Sequence, residues 1–346
     1  MENIQEEYQG SDLAEKIHDY LQECYRKWGA GLFVLLGGDT NIVPARCYIY
    51  SNEEYPSDAY YMDLNSSWNA NKNHIYAETS DGVKLDKLCY VGRAPTENLE
   101  ETKIFVDKIL TYEKMDKKEV DKGYIMNYLA SVSYTYTDSE EKFQPNKPGN
   151  INSYFSNYPQ INKWYLFTHY NCSCPKHDKN PMFNHGEELN RKSLLAALQD
   201  GGASSLNHFH IVYHTDHSHP RAMGASSLDK HESIYTQDVD NLNNGDYLQI
   251  VITESCKPAK IDEDCIAEHF INNPHGGAVA FIGDANVAYP SQVIQYDRFL
   301  RNLYTEKIST LGVLYSLMPD KRYSLENKSL HLLGDPEMPV WSAVPQ

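Results

Sequence analysis

Two points in the chain have the residue types for nucleophilic chemistry. A strand pattern over 205–213 ends Ile211-Val212-Tyr213 and runs into the histidine-rich turn His214-Thr215-Asp216-His217-Ser218-His219. A second strand, Tyr247 to Thr253, delivers Glu254-Ser255-Cys256 at its end. In open parallel sheets ligands bind beyond the carboxyl ends of the strands, so as parallel neighbours the two would bring His217 and Cys256 to one edge. A free thiol, with a pKa of about 8.5, is mostly protonated at neutral pH, and an imidazole within hydrogen-bond range makes it a useful nucleophile. By itself the pair leaves two blander readings open: an inert buried thiol at Cys256 and a turn-capping histidine at His217.

The cluster His208, His210, His214, His217 and His219 also invites a metal reading. Along a strand, His208, His210 and His214 share one face but are spread out, and no His-Glu-x-x-His arrangement brings two onto one ion. Cys172-x-Cys174 with His177 and His185 has a gap shorter than the usual Cys-x2–4-Cys of zinc sites and lies in a loop pattern. No residue is assigned to a metal.

The elements that must position these residues alternate. Leu13, Ile17, Leu21, Cys24 and Tyr25 have helical spacing behind Ser11-Asp12, a capping pair. Leu32–Leu36 is a wholly apolar run, which predicts a buried parallel strand. Leu88–Arg93 predicts another, followed by a helix from Leu99 to Lys114 with Thr96 as its cap. Further strands are expected at 124–132, 164–168 and 278–283, and helices near 191–199, 263–271 and 290–306. Such alternation means a mainly parallel sheet flanked by helices on both faces. The polar, charged stretch 116–122 predicts a boundary between two sub-domains, 1–120 and 121–346. A doubly wound sheet ordinarily opens on a strand, so the helix-first start implies that an opening strand is missing or supplied elsewhere.

Composition bounds the function. The 346 residues carry 31 Lys+Arg against 48 Asp+Glu, a formal charge of −17. That excess excludes a general nucleic-acid binder, whose affinity comes from Lys/Arg clusters on phosphates, and disfavours a basic membrane-binding patch. No run approaches the ~18 apolar residues of a membrane span. The opening residues have neither a basic n-region nor an apolar stretch, so no signal peptide is expected in this chain. Seven cysteines, an odd number spread through the chain, do not form a disulfide framework.

Read in order, a series of short motifs carries more than any one of them. These are Leu35-Leu36-Gly37-Gly38-Asp39, Ile42-Val43-Pro44-Ala45-Arg46, Ser57-Asp58-Ala59-Tyr60-Tyr61, Val91-Gly92-Arg93-Ala94 and the helix end Tyr112-Glu113-Lys114. They continue with Gly201-Gly202, Thr215-Asp216-His217-Ser218, the strand ending in Cys256, Cys265-Ile266-Ala267-Glu268, Gly277 to Ile282, and Leu333-Gly334-Asp335-Pro336. In this order they resemble the catalytic domain of the gingipain family of cysteine peptidases over nearly the whole chain.

The resemblance implies a caspase-like α/β fold, Cys256 as nucleophile and His217 as its partner, with His214 as the fallback histidine. The backbone N–H groups of Cys256 and Ser218 would hold the oxyanion. It further implies protein or peptide substrates, no required cofactor, calcium as a structural ion held by the acidic loops 50–65 or 134–141, and a secreted or cell-envelope location. Two features depart from the family: Asp216 and Ser218 stand where glycines flank its histidine, and Ser133 falls where an acid orients it. Asp284 and Tyr289, just past the strand at 278–283, are the expected substrate-binding residues, and an acidic wall there would favour Arg or Lys before the cut. Asp284 as a cap of the following helix is the plainer alternative. A catalytically impaired gingipain-like scaffold and, less favoured, a zinc hydrolase are the competing functions.

Overall fold

Asp12 starts the first long helix as the capping pattern predicts. Its Oδ1 accepts the Glu15 N–H at 2.9 Å, and the helix Leu13–Trp28 runs until Gly29, at φ 84°, turns the chain out of it. Ala14, Ile17, His18, Leu21 and Cys24 are its buried face. The computed structural model describes residues 2–115, 120–133, 155–168, 185–226, 230–288, 294–319 and 326–344.

Strands are numbered in chain order. The first half contributes β1 (Leu32–Gly37), a hairpin of β2 (Arg46–Tyr50) and β3 (Glu53–Ser57), and β4 (Cys89–Ala94). The second contributes β5 (Asn127–Val132), β6 (Asn162–Phe167), β7 (Gly186–Glu188), β8 (Ile211–Thr215), β9 (Ser218–His219), β10 (Ala222–Gly224), β11 (Ser233–Tyr235), β12 (Gln249–Thr253), β13 (Ala278–Asp284) and β14 (Leu330–Leu333). Nine of them form one sheet in the order β1-β4-β14-β13-β12-β8-β5-β6-β7, and β9, β10 and β11 form a small antiparallel sheet of their own.

The large sheet consists of two parallel blocks that meet antiparallel at β13 and β14. The chain on either side of 120/121 builds one block each, except that β14, from near the C-terminal end, joins the first. This late strand has no counterpart in the sequence reading, because Leu330-His331-Leu332-Leu333 is too short to separate from a helix turn by periodicity. The helix Leu99–Glu113 is fastened to the second block by Lys108, whose Nζ donates to the carbonyls of Phe270, Ile271 and Ala278 at 3.0, 2.6 and 3.3 Å. Burial pulls that ammonium down to about 7. In the first block Arg93 is fully buried, doubly bonded to Asp58 at 2.8 and 2.7 Å and donating to the carbonyls of Gly38 and Val43. Every close partner is an acceptor, which is what lets a guanidinium sit inside a core.

Three expectations are corrected. β1 is an edge strand with Phe33 and Leu35 exposed, because nothing pairs beyond it in the described sheet; a wholly apolar run fits a half-covered edge as well as a buried strand. β8 starts at Ile211, after His208 at φ 59°, so His208 and His210 precede the strand. The cap of the helix Leu99–Glu113 is Asn98, whose side chain accepts the Glu101 N–H. Tyr289, the loop 134–141, Cys172, Cys174 and His177 lie outside the described residues.

Candidate active site

β8 and β12 are parallel neighbours, as the sequence predicts, and Thr253 pairs with His214. One more ladder bond, Glu254 N–H to the His214 carbonyl at 3.0 Å, closes the pairing, after which the two chains part. Cys256 and His217 therefore each stand three residues past the same cross-strand pair, at one edge of the sheet.

The backbone at Cys256 makes a sharp elbow. Lys257 has φ 62°, in the left-handed region that a lysine enters at a cost of roughly 1–2 kcal/mol, and the surroundings hold it there. Lys257 N–H donates to the Asn286 carbonyl at 3.0 Å and Ala259 N–H to the Asp284 carbonyl at 3.1 Å. The buried His331 donates Nδ1–H to the Ala259 carbonyl at 3.0 Å, and Lys257 Nζ reaches Glu53 of β3 at 2.9 Å. Of these props only Asp284 was singled out in the sequence, and for a different role.

The Cys256 thiol is half-buried and points its S–H at the Ala288 carbonyl, 3.9 Å away. Burial pushes the thiol up from its ordinary value; the charge of Asp284 adds to the shift, and Lys257 opposes it. The resting thiol is thus the protonated form, and its hydrogen bond goes to a backbone carbonyl and not to His217. The backbone N–H of Cys256 has no acceptor among the described residues.

His217 is exposed at the start of a tight turn. Its carbonyl accepts the Gly224 N–H at 2.8 Å, and its own N–H is taken by Asp216 Oδ1 at 2.6 Å. Asp216 Oδ2 accepts the Ser226 N–H at 2.9 Å, so this carboxylate holds the turn's backbone. Because the Gly224 N–H bonds the His217 carbonyl, one position outside the Ser218–Met223 pair, that pair is the non-bonded kind, and the Ser218 N–H points out of the hairpin. Ser133 is fully inside, donating its N–H to the Thr215 carbonyl and accepting from Thr168 Oγ1 at 3.3 Å.

Two of the neighbouring histidines are structural. His214 is fully buried with both nitrogens engaged, Nδ1 with Thr253 Oγ1 and Nε2 with the Gly224 carbonyl, each at 2.8 Å. His210 is equally buried between Tyr112 Oη at 2.7 Å and the Ile125 carbonyl at 3.0 Å. Among the described residues no group of three or more His, Cys, Asp or Glu side chains is placed to hold a metal ion. In the loop 50–65, Asp58 is committed to Arg93, and Asp63 accepts from the N–H groups of Ser66 and Leu85 and from Trp68 Nε1. Both carboxylates are thus committed within the fold.

Asp284 is the last residue of β13, with 0% exposure, and accepts from Ser329 Oγ at 2.9 Å. It is a strand residue and not a helix cap. An acidic cavity of about 690 Å³, lined in part by Asp39, Glu97, Asp240, Asp264 and Glu268, includes neither Cys256 nor His217.

Comparison with known proteins bears on the family and the fold. Residues 1–341 match the family profile described as peptidase family C25. Two solved structures share the fold: the Arg-specific cysteine proteinase gingipain R (RgpB), and the complex of Porphyromonas gingivalis RgpB pro- and mature domains. The first has a TM-score of 0.70 and 19% identity over 99% of this chain and 72% of that one. The second has a TM-score of 0.70 and 18% identity over 96% and 71%. A third, described as a protease structure, has a TM-score of 0.63 and 16% identity over 94% and 69%. No curated protein matches the chain in sequence.

Proposed function

Because the chain belongs to peptidase family C25, and is accordingly a cysteine-type peptidase with the caspase-like fold, we propose that Cys256 is its nucleophile and His217 the imidazole that serves it. The observation that carries this is the common register: both residues leave the sheet three positions after the Thr253–His214 pair. Cys256 Sγ attacks the scissile carbonyl, its proton passes to His217 Nε2 or Nδ1, and the imidazolium returns it to the leaving amine. A water then splits the acyl-enzyme thioester, regenerating the thiol. The N–H groups of Cys256 and Ser218 serve the oxyanion: one lacks an acceptor among the described residues and the other is aimed away from its hairpin.

The reaction needs no cofactor, and its substrates are proteins or peptides. The net charge of −17 supports cationic over anionic partners and argues against nucleic acid. A basic residue before the cut is favoured by Asp284, whose charge is felt at Cys256 while its side chain is sealed from solvent. Such a site selects by field and not by a bidentate grip, so Arg and Lys are taken comparably. Family membership supports a location outside the cell or in its envelope, and among the described residues no helix is long and apolar enough to cross a membrane.

The test is turnover of a fluorogenic peptide panel with Arg, Lys, Asn and Asp before the cut. Cys256→Ala and His217→Ala each lose activity with far-UV circular dichroism unchanged, and the wild type prefers Arg and Lys. Full activity in either variant contradicts the dyad, and a preference for Asp contradicts the acidic field.

A further inference from the structure

We propose that His214, the buried histidine at the end of β8, is a positioning residue that locks the His217 turn to the strand end carrying Cys256, through a one-directional chain of hydrogen bonds. The proposal rests on the assignment of Cys256 and His217 above.

The donor directions along the chain are fixed by chemistry. The Gly224 carbonyl can only accept, so the 2.8 Å contact puts the proton of His214 on Nε2. Burial lowers the pKa of this imidazole, with the Gly224 bond and the charge of Asp216 opposing, so the ring is neutral and Nδ1 is an acceptor. Thr253 Oγ1, 2.8 Å away, must then donate to Nδ1, and in turn it accepts from Ser255 Oγ at 2.6 Å. Gly224 closes the other end by giving its N–H to the His217 carbonyl.

The chain thus reads Ser255 to Thr253 to His214 to Gly224, and from Gly224 to His217. One end lies immediately before the nucleophile and the other on the backbone of the histidine that would serve it. Thr253 and His214 are the last cross-strand pair of β12 and β8, while Ser255 and His217 lie beyond it, where the ladder bonds of the sheet no longer hold the two loops in register. Thr253, Ser255 and His214 are each no more than 2% exposed, so water does not replace a lost link. A misplacement on the order of 1 Å between reacting groups can cost a hundredfold in rate, which makes such a lock functional and not merely stabilising.

Two substitutions at one position isolate the hydroxyl. Thr253→Val keeps the side-chain shape and removes the donor, and Thr253→Ser restores it. With a fluorogenic peptide that the wild type cleaves, Thr253→Val loses about tenfold or more in kcat with KM within about twofold, whereas Thr253→Ser stays within about threefold of the wild type. Ser255→Ala removes only the terminal donor and loses less, about threefold in kcat. Wild-type kcat in Thr253→Val, failure of Thr253→Ser to restore it, or a change confined to KM overturns the positioning role. If Thr253→Val does not fold, Ser255→Ala decides, and an unchanged kcat there overturns it. Cys256→Ala is measured beside them: residual turnover in that variant removes the nucleophile assignment itself, while an inactive Cys256→Ala beside a fully active Thr253→Val removes only the lock.

Discussion

Cys256 and His217 leave the sheet in step, each three residues past Thr253 and His214, which face one another across β12 and β8. The relationship is set by strand register and not by any contact between the two side chains, since the resting thiol donates to Ala288. Apo enzymes often hold catalytic hydrogen bonds open until substrate is bound. Several measurable consequences follow from this arrangement and from the groups around it.

Gly224 is the tightest point of the His217 turn. A Cβ built there would come within 2.5 Å of the His217 carbonyl oxygen and closer still to the Asp216 carboxyl carbon. Gly224→Ala must push the turn away from β10. It is expected to lower kcat by roughly 10- to 100-fold while leaving the far-UV spectrum intact. Wild-type kinetics in this variant would show that the turn has slack.

The thiol of Cys256 is raised by burial and hydrogen-bonded as S–H, so the free enzyme holds no preformed thiolate–imidazolium pair. Alkylation of Cys256 by iodoacetamide should therefore accelerate about tenfold per pH unit between pH 6 and 8, following the thiolate fraction. The midpoint lies above the ordinary thiol value. A rate that is flat from pH 6 to 8 contradicts this reading.

Glu268 offers a test of stability. Its carboxyl is pushed up to about 9 by burial; the Cys265 N–H opposes the shift and the charge of Asp39 adds to it. Because its folded pKa is raised, the folded chain between about pH 4 and 9 keeps a proton that the unfolded chain releases, and stability falls as pH rises through that window. Glu268→Gln, which keeps an oxygen for the Cys265 N–H, should be more stable than the wild type at pH 8, by on the order of 2 kcal/mol, with no gain at pH 4. Thermal unfolding at the two pH values decides, and equal melting temperatures at pH 8 would show Glu268 to be ionised at little cost.

Much of this was legible in the sequence where local physics is strong. The first long helix announced itself by its Asp12 cap and apolar spacing, and the strand patterns at 205–213 and 247–253, read as parallel neighbours, correspond to the paired β8 and β12. β14 was invisible, because four residues between other elements carry no period and its pairing with β13 and β4 is wholly non-local. The elbow at Lys257 was equally hidden, since a positive φ at lysine comes from the clamp of Asn286, Asp284 and His331 and not from lysine's own preference. The five histidines between 208 and 219 looked like one cluster, yet the strand begins only at Ile211, and His210 and His214 turn inward to separate partners. Asp216, which stands where the family has a glycine beside its histidine, is spent on backbone N–H groups.

The most direct measurement is covalent labelling with a peptidyl acyloxymethyl ketone carrying Arg or Lys next to the warhead, followed by peptide mapping in a mass spectrometer. A single adduct on the Cys256 peptide, formed as fast as activity disappears and absent from His217→Ala, is the outcome predicted here. Adducts on another cysteine, or an unlabelled Cys256 in enzyme that still cleaves peptides, would contradict it.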